Sequence, residues 1–302
     1  MLSGHTEAVL DIEISENGKY LVSAGMDDKA ILWDAENLQQ IKELEVHPDD
    51  IFSVAIHTGI GKLATGGRDG VIRIFDIESG NRIGLLRGHV EEIYSLEVTP
   101  DGKKLLSAGK DKTVRVWDTE TGELLHVFQG HTAAVNALAI EPDGSRVISV
   151  SGDGSLRTWY LDEMYVPGFT KKISKNNMIS IALTEDGKML AYTGLVMTYD
   201  SSTEKWSKKY PVFTAELEEN GLENIQRSDQ HKNYVWGLAW SPDGSTIVSG
   251  GVDRRIFFNG FKNEMRQRIV SPSKSVWDVE YSPDGTRVFA GTSTGDIVVF
   301  EK

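Results

Sequence analysis

The sequence predicts an all-β fold, a seven-bladed β-propeller of four-stranded antiparallel blades, and two observations carry that expectation. A block of about 40 residues recurs along the chain, and each copy reads as short strands joined by tight turns, without helical periodicity. A block of that kind cannot cover both of its faces alone. Successive copies must therefore pack on one another around an axis.

The repeat shows first in the histidines. His5, His47, His89 and His131 stand 42 residues apart. Eighteen residues beyond each comes Ser23, Thr65, Ser107 or Ser149, then Asp27, Asp69, Asp111 or Asp153 four further on, and Trp33, Phe75, Trp117 or Trp159 six beyond the acid. The register returns at His231, Ser249 and Asp253, with Asn259 in the aromatic place. Two worn copies, from about Ser174 to Asp200 and from about Pro272 to Phe300, keep the EDG or PDG turn and lose the His and the acid. Seven copies result, expected as one domain over 1–302: roughly 1–36, 37–78, 79–120, 121–162, 163–206, 207–260 with an insertion near 208–229, and 261–302.

Within the third copy, IYSLEV and KLLSAG alternate as half-buried strands do, and VRVWD is β-branched and aromatic. TPDGKK supplies the Pro and Gly of a tight turn. The loops GGRDG at 66–70 and SGDGS at 151–155 look like phosphate or calcium loops but precede a third strand, so they read as hairpin turns.

Composition narrows the function. The 302 residues are 39% hydrophobic and contain no cysteine, which excludes disulfides, thiolate metal sites and a cysteine nucleophile. A formal charge of -13 argues against a broad nucleic-acid or anionic-membrane surface, which needs clustered Lys and Arg. MLSGHTEAVLDIE lacks the features of a secretory signal, and no run is long enough to span a membrane, so a cytoplasmic location is expected.

Gly4-His5 with Trp33-Asp34, Gly88-His89 with Trp117-Asp118, and Gly130-His131 with the drifted Trp159-Tyr160 resemble the GH and WD signatures of the WD-repeat (WD40) β-propeller family. The resemblance covers essentially the whole chain. It implies that the His, the Ser or Thr, the Asp and the Trp of a copy form a hydrogen-bonded tetrad inside one blade.

Ser, His and Asp are also the parts of a hydrolase triad. Repetition decides against catalysis, because an enzyme aims one set of groups at one cleft, whereas this set recurs every 42 residues. The four groups can instead satisfy one another's hydrogen bonds. Phe75 cannot donate, so the second copy is expected to keep only His47, Thr65 and Asp69. Of seven histidines, only His57 and His126 lie outside the register, too few for a histidine-rich metal site; no cofactor is expected.

The resemblance places ligands on the narrow top face. The position five residues beyond the repeat His begins the innermost strand near the channel: Leu10, Phe52, Tyr94, Asn136, Ile179, Trp236 and Trp277, with Tyr234 nearby. Its aromatics serve either as recognition anchors or as plugs of the channel. The acid pairs Asp49-Asp50 and Glu91-Glu92 favour a basic peptide or protein patch, making Asp50 and Glu92 candidate contacts. The acidic stretch within KKYPVFTAELEENGLENIQRSD is a solvated loop or a docking element.

Only MLSGH stands where an outer strand would close the ring, so either the chain is part of a longer protein or the last blade has an open edge. The leading reading is a non-catalytic interaction platform, a monomeric propeller fused to or assembled with an effector. The alternative is an enzyme with a small-molecule site in the channel, using acids such as Asp11, Asp50 or Asp278.

Overall fold

The structure is a computed structural model describing residues 1–44, 47–161, 165–173, 177–200, 202, 205–260, 268–270 and 273–301. Ser174 and Pro272, read as the starts of the fifth and seventh copies, lie outside the described residues.

Seven four-stranded sheets surround a central channel, each built of antiparallel strands running from the channel outward. In the third blade these are Ile93–Val98, Lys104–Gly109, Val114–Asp118 and Leu124–Phe128. Burial follows the radial position. LLSAG of the second strand is buried throughout because neighbouring blades cover both its faces. The outermost strand of the first blade, Gln39–Glu43, is exposed along its length and accordingly polar. Between blades the sheets interlock: Val22 and Leu32 of the first pack with Ile51, Leu63 and Phe75 of the second. The PDG turn is set by Gly102 at φ +70 and by Thr99, whose hydroxyl donates to Asp101 and accepts from the Lys104 N–H. The 66–70 and 151–155 loops are hairpin turns, with Gly70 and Gly154 in the left-handed region.

Every innermost strand carries an irregularity at the same place. Pairing skips one residue between Val9 and Asp11, Ile51 and Ser53, Ile93 and Ser95, Val135 and Ala137, Val235 and Gly237, and Val276 and Asp278, and a wider gap falls between Met178 and Ile181. The skipped residue is the fifth after the repeat His. A bulge frees it from the ladder and re-aims its side chain. The next residue instead joins adjacent blades: Asp11 accepts the Val54 N–H at 2.8 Å, Ser53 that of Leu96 at 3.0 Å, Ser95 that of Leu138 at 3.1 Å, and Asp278 that of Ile12 at 3.1 Å.

Two expectations change. The extra length of the fifth copy is not an insertion near 208–229. Val212–Glu218 and Gly221–Ser228 are the third and fourth strands of the fifth blade, and the addition is the two-stranded hairpin Val196–Asp200 with Lys205–Lys209. VMTYD ends like a third strand, which conceals the hairpin in the sequence. At the junction of the ends, Leu2–Ser3 supplies the fourth strand of the seventh blade. Leu2 pairs with Ile297 and Ser3 with Asp296, the Ser3 hydroxyl also donating to the Asp296 carboxylate at 2.8 Å. The closing strand is thus two residues long.

Candidate partner-binding face

The tetrads settle what the Ser, His and Asp sets do. In the third blade, Trp117 Nε1–H donates to Ser107 Oγ at 2.8 Å, Ser107 Oγ lies 2.7 Å from His89 Nε2, and His89 Nδ1 lies 2.8 Å from Asp111. An ionised carboxylate only accepts, so Nδ1 carries the proton and Nε2 accepts from the serine. The first and fourth blades repeat this with Ser23, His5, Asp27 and Trp33, and with Ser149, His131, Asp153 and Trp159. Burial by itself raises a carboxyl, but the bonds from His89 and Thr113 outweigh it and hold Asp111 far below the ordinary aspartate range. A hydroxyl already bonded to an indole and shut inside a blade has no access to substrate.

The second blade departs from expectation. His47 Nε2 lies 2.6 Å from Thr65, but its Nδ1 meets Arg73 Nη1 at 3.1 Å, and Arg73 Nη2 reaches Asp69 at 2.6 Å. His47 therefore touches Asp69 through Arg73 rather than directly. Phe75 explains why. Without an indole donor, Thr65 takes its hydrogen bond from His47 Nε2–H, which leaves Nδ1 as an acceptor, and a guanidinium fills that need. Burial and then the Arg73 charge push the His47 pKa down to about 3. In the sixth blade His231 binds Ser249 at 2.9 Å and Asp253 at 3.0 Å, and the ring of Phe257 replaces the missing indole, edge-on at 4.6 Å.

All seven bulge residues, Leu10, Phe52, Tyr94, Asn136, Ile179, Trp236 and Trp277, line one central cavity of about 600 Å³. Phe52 and Tyr94 lie 5.7 Å apart on one side. Elsewhere a run of rings leads outward: Trp277 to Trp236 at 5.6 Å, Trp236 to Tyr234 at 6.3 Å, and Tyr234 to Tyr210 at 5.0 Å. Tyr210 was not legible as part of this face, because it arrives at the foot of the hairpin. Trp236 remains 39% exposed at the mouth of this cavity.

Three of the four rim acids are held by a cation. Arg68 pairs with both Asp49 and Asp50 and lies over the Phe52 ring, and Glu92 meets Lys110 at 3.0 Å and accepts the Tyr94 hydroxyl at 2.8 Å. Unpaired acid lies deeper. Asp11, Glu13, Glu97, Asp278 and Glu280 all face the cavity, and among the described residues none that lines it is Lys, Arg or His. Glu13, Glu97 and Glu280 sit two residues past the residue after the bulge, on the same face of the strand, a period-two signal present in DIE, SLE and DVE. Asp11 and Asp278 are hydrogen-bonded to each other, and burial raises both carboxyls. Burial and then acidic neighbours push Glu97 and Glu280 up to about 8.

The family profile of the WD domain, G-beta repeat, matches residues 1–34, 38–76, 80–118, 122–160, 223–258 and 264–301. Those segments account for most of the chain, and each runs from the outer strand of one propeller blade into the three inner strands of the next. With blade tetrads, bulged inner strands and a ring closed by both ends, the chain belongs to the WD40 family of repeat proteins, whose general role is to scaffold protein interactions.

Proposed function

We propose that the chain is a non-catalytic binding platform that takes a protein or peptide on its top face, anchored at the aromatic run from Trp277 through Trp236 and Tyr234 to Tyr210. The observation supporting this most directly is the exposure of Trp236 within a file of rings that starts in the channel and continues to the hairpin. Rigid aromatics bury much area at small entropic cost, which makes them frequent anchors. The buried Trp277 indole N–H, with no acceptor among the described residues, suits a peptide carbonyl. Phe52 and Tyr94 form a second, smaller contact point. Asp50 and Glu92 are held by Arg68 and Lys110, so they act at the rim as paired charges that present polar edges to the partner. Fusion to, or assembly with, an effector fits such a platform.

The test is selection of a random peptide library displayed on phage. Enrichment is expected on the natural protein and loss of it on the Trp236→Ala/Trp277→Ala variant, with the melting temperature within a few degrees. A lowered melting temperature with enrichment unchanged would overturn the reading.

A further inference from the structure

Three of the five carboxylates in the channel have structural work. Asp11, Asp278 and Glu13 accept the backbone N–H groups of Val54, Ile12 and Ile56 in adjoining blades, at 2.8, 3.1 and 3.0 Å. Glu97 and Glu280 have none. Neither takes part in a hydrogen bond or ion pair among the described residues, and the charges that act on them belong to other acids. The fold does not ask for glutamate at their position. Counted from the repeat register, the same site holds Ala55, Ala139, Ala182 and Ala239 in four other blades. Two glutamates therefore stand where alanine suffices, inside a cavity of about 600 Å³ whose lining among the described residues holds no basic side chain and which opens between aromatic rings.

We propose that this channel is a binding site for a primary alkylammonium group, which enters past Trp236 and Trp277 and is neutralised by Glu97 and Glu280. The shape of the site favours an organic cation over a small metal ion. Among the described residues, the only three acids whose ligand atoms all lie within 4.8 Å of one another are Asp28, Asp49 and Asp50, outside this lumen. Spread charge with apolar stretches between suits a chain that carries an amine at its end, and indole faces attract such cations. A cavity of this size falls within the usual range for small ligands. The same chemistry is offered by a free diamine and by a lysine side chain. In the second case the inference names what the peptide of the top face puts into the channel, and it then rests on that reading.

Titration calorimetry with hexane-1,6-diamine, hexane-1,6-diol and a short lysine-containing peptide separates the possibilities. Expected are binding of the diamine or of the lysine peptide, none of the diol, and at least tenfold weaker binding by the Glu97→Gln/Glu280→Gln variant, whose melting temperature should not fall. Binding of the diamine alone assigns a small-molecule cation. Binding of the peptide, lost on replacing its lysine by norleucine, assigns the side chain. Proton release on binding at pH 7 is a second readout, because a cation favours the ionised glutamates. Equal affinity of the natural protein and the variant, or no uptake of either amine, overturns the inference. Should peptides still be captured through Trp236 in that event, the reading of the top face survives.

Discussion

Asp111 and Glu97 lie in the same blade, and both are removed from bulk water, yet their charges have opposite standing. Asp111 accepts from His89 at 2.8 Å and from the N–H and hydroxyl of Thr113, and its carboxyl stays ionised far into acid. Glu97 accepts from no group among the described residues, and burial followed by the charge of Asp11 lifts its pKa to about 8. Burial penalises charge in both places. The set of donors decides whether the acid stabilises the fold or strains it. Blade interiors are thus electrostatically finished, while the channel is left incomplete.

The largest effect should come from breaking the one tetrad that is rewired. Arg73→Met leaves His47 Nδ1 without its donor and Asp69 with only the Val71 N–H, and is expected to cost about 2–4 kcal/mol in urea unfolding. Adding Phe75→Trp should recover at least about 1 kcal/mol, because an indole donor to Thr65 lets His47 turn its proton toward Asp69. No recovery would break the explanation of the second blade. Next comes Asp111→Ala, which strands the His89 N–H and should cost about 1–3 kcal/mol. By contrast, Glu97→Gln is expected to stabilise, by about 1 kcal/mol at pH 8.

The pH dependence separates the two regions further. The folded pKa of Glu97 lies above the ordinary glutamate value of 4.5, so the folded state holds a proton that the unfolded chain has released, and stability falls as pH rises from about 4.5 to 8. The gain from Glu97→Gln should accordingly shrink as pH falls and be gone by about pH 4. The tetrad aspartates have lowered values, so their contribution is complete above the ordinary aspartate pKa and is lost as pH falls toward their folded values. The smallest effect is a control. Lys112 sits at φ +68, where the second blade has Gly70 at +69, and Lys112→Gly should add about 0.5 kcal/mol equally at pH 5 and pH 8.

Repetition made the blades and most of the tetrads legible, since a His, a hydroxyl and an acid at fixed spacing leave little choice of partner. The same counting found the seven residues of the channel mouth. It stopped short where an outcome depends on which neighbouring side chains meet in space. Arg73 enters the second tetrad because Phe75 cannot donate, and Arg68 and Lys110 answer rim acids that looked free along the chain. Glu97 and Glu280 were in plain view in their strands. Their meaning depended on which strand face lines the lumen, and the bulge shifts that alternation by one.

The bulge has a consequence for how such a protein diversifies. Six blades release one residue from the ladder and the fifth releases two, with the pairing resumed beyond them, so seven positions spaced through the chain can change identity without renegotiating the fold. Leucine, phenylalanine, tyrosine, asparagine, isoleucine and tryptophan already occupy them here. Together they act as a short written address, edited one letter at a time, on a page that does not have to be reprinted.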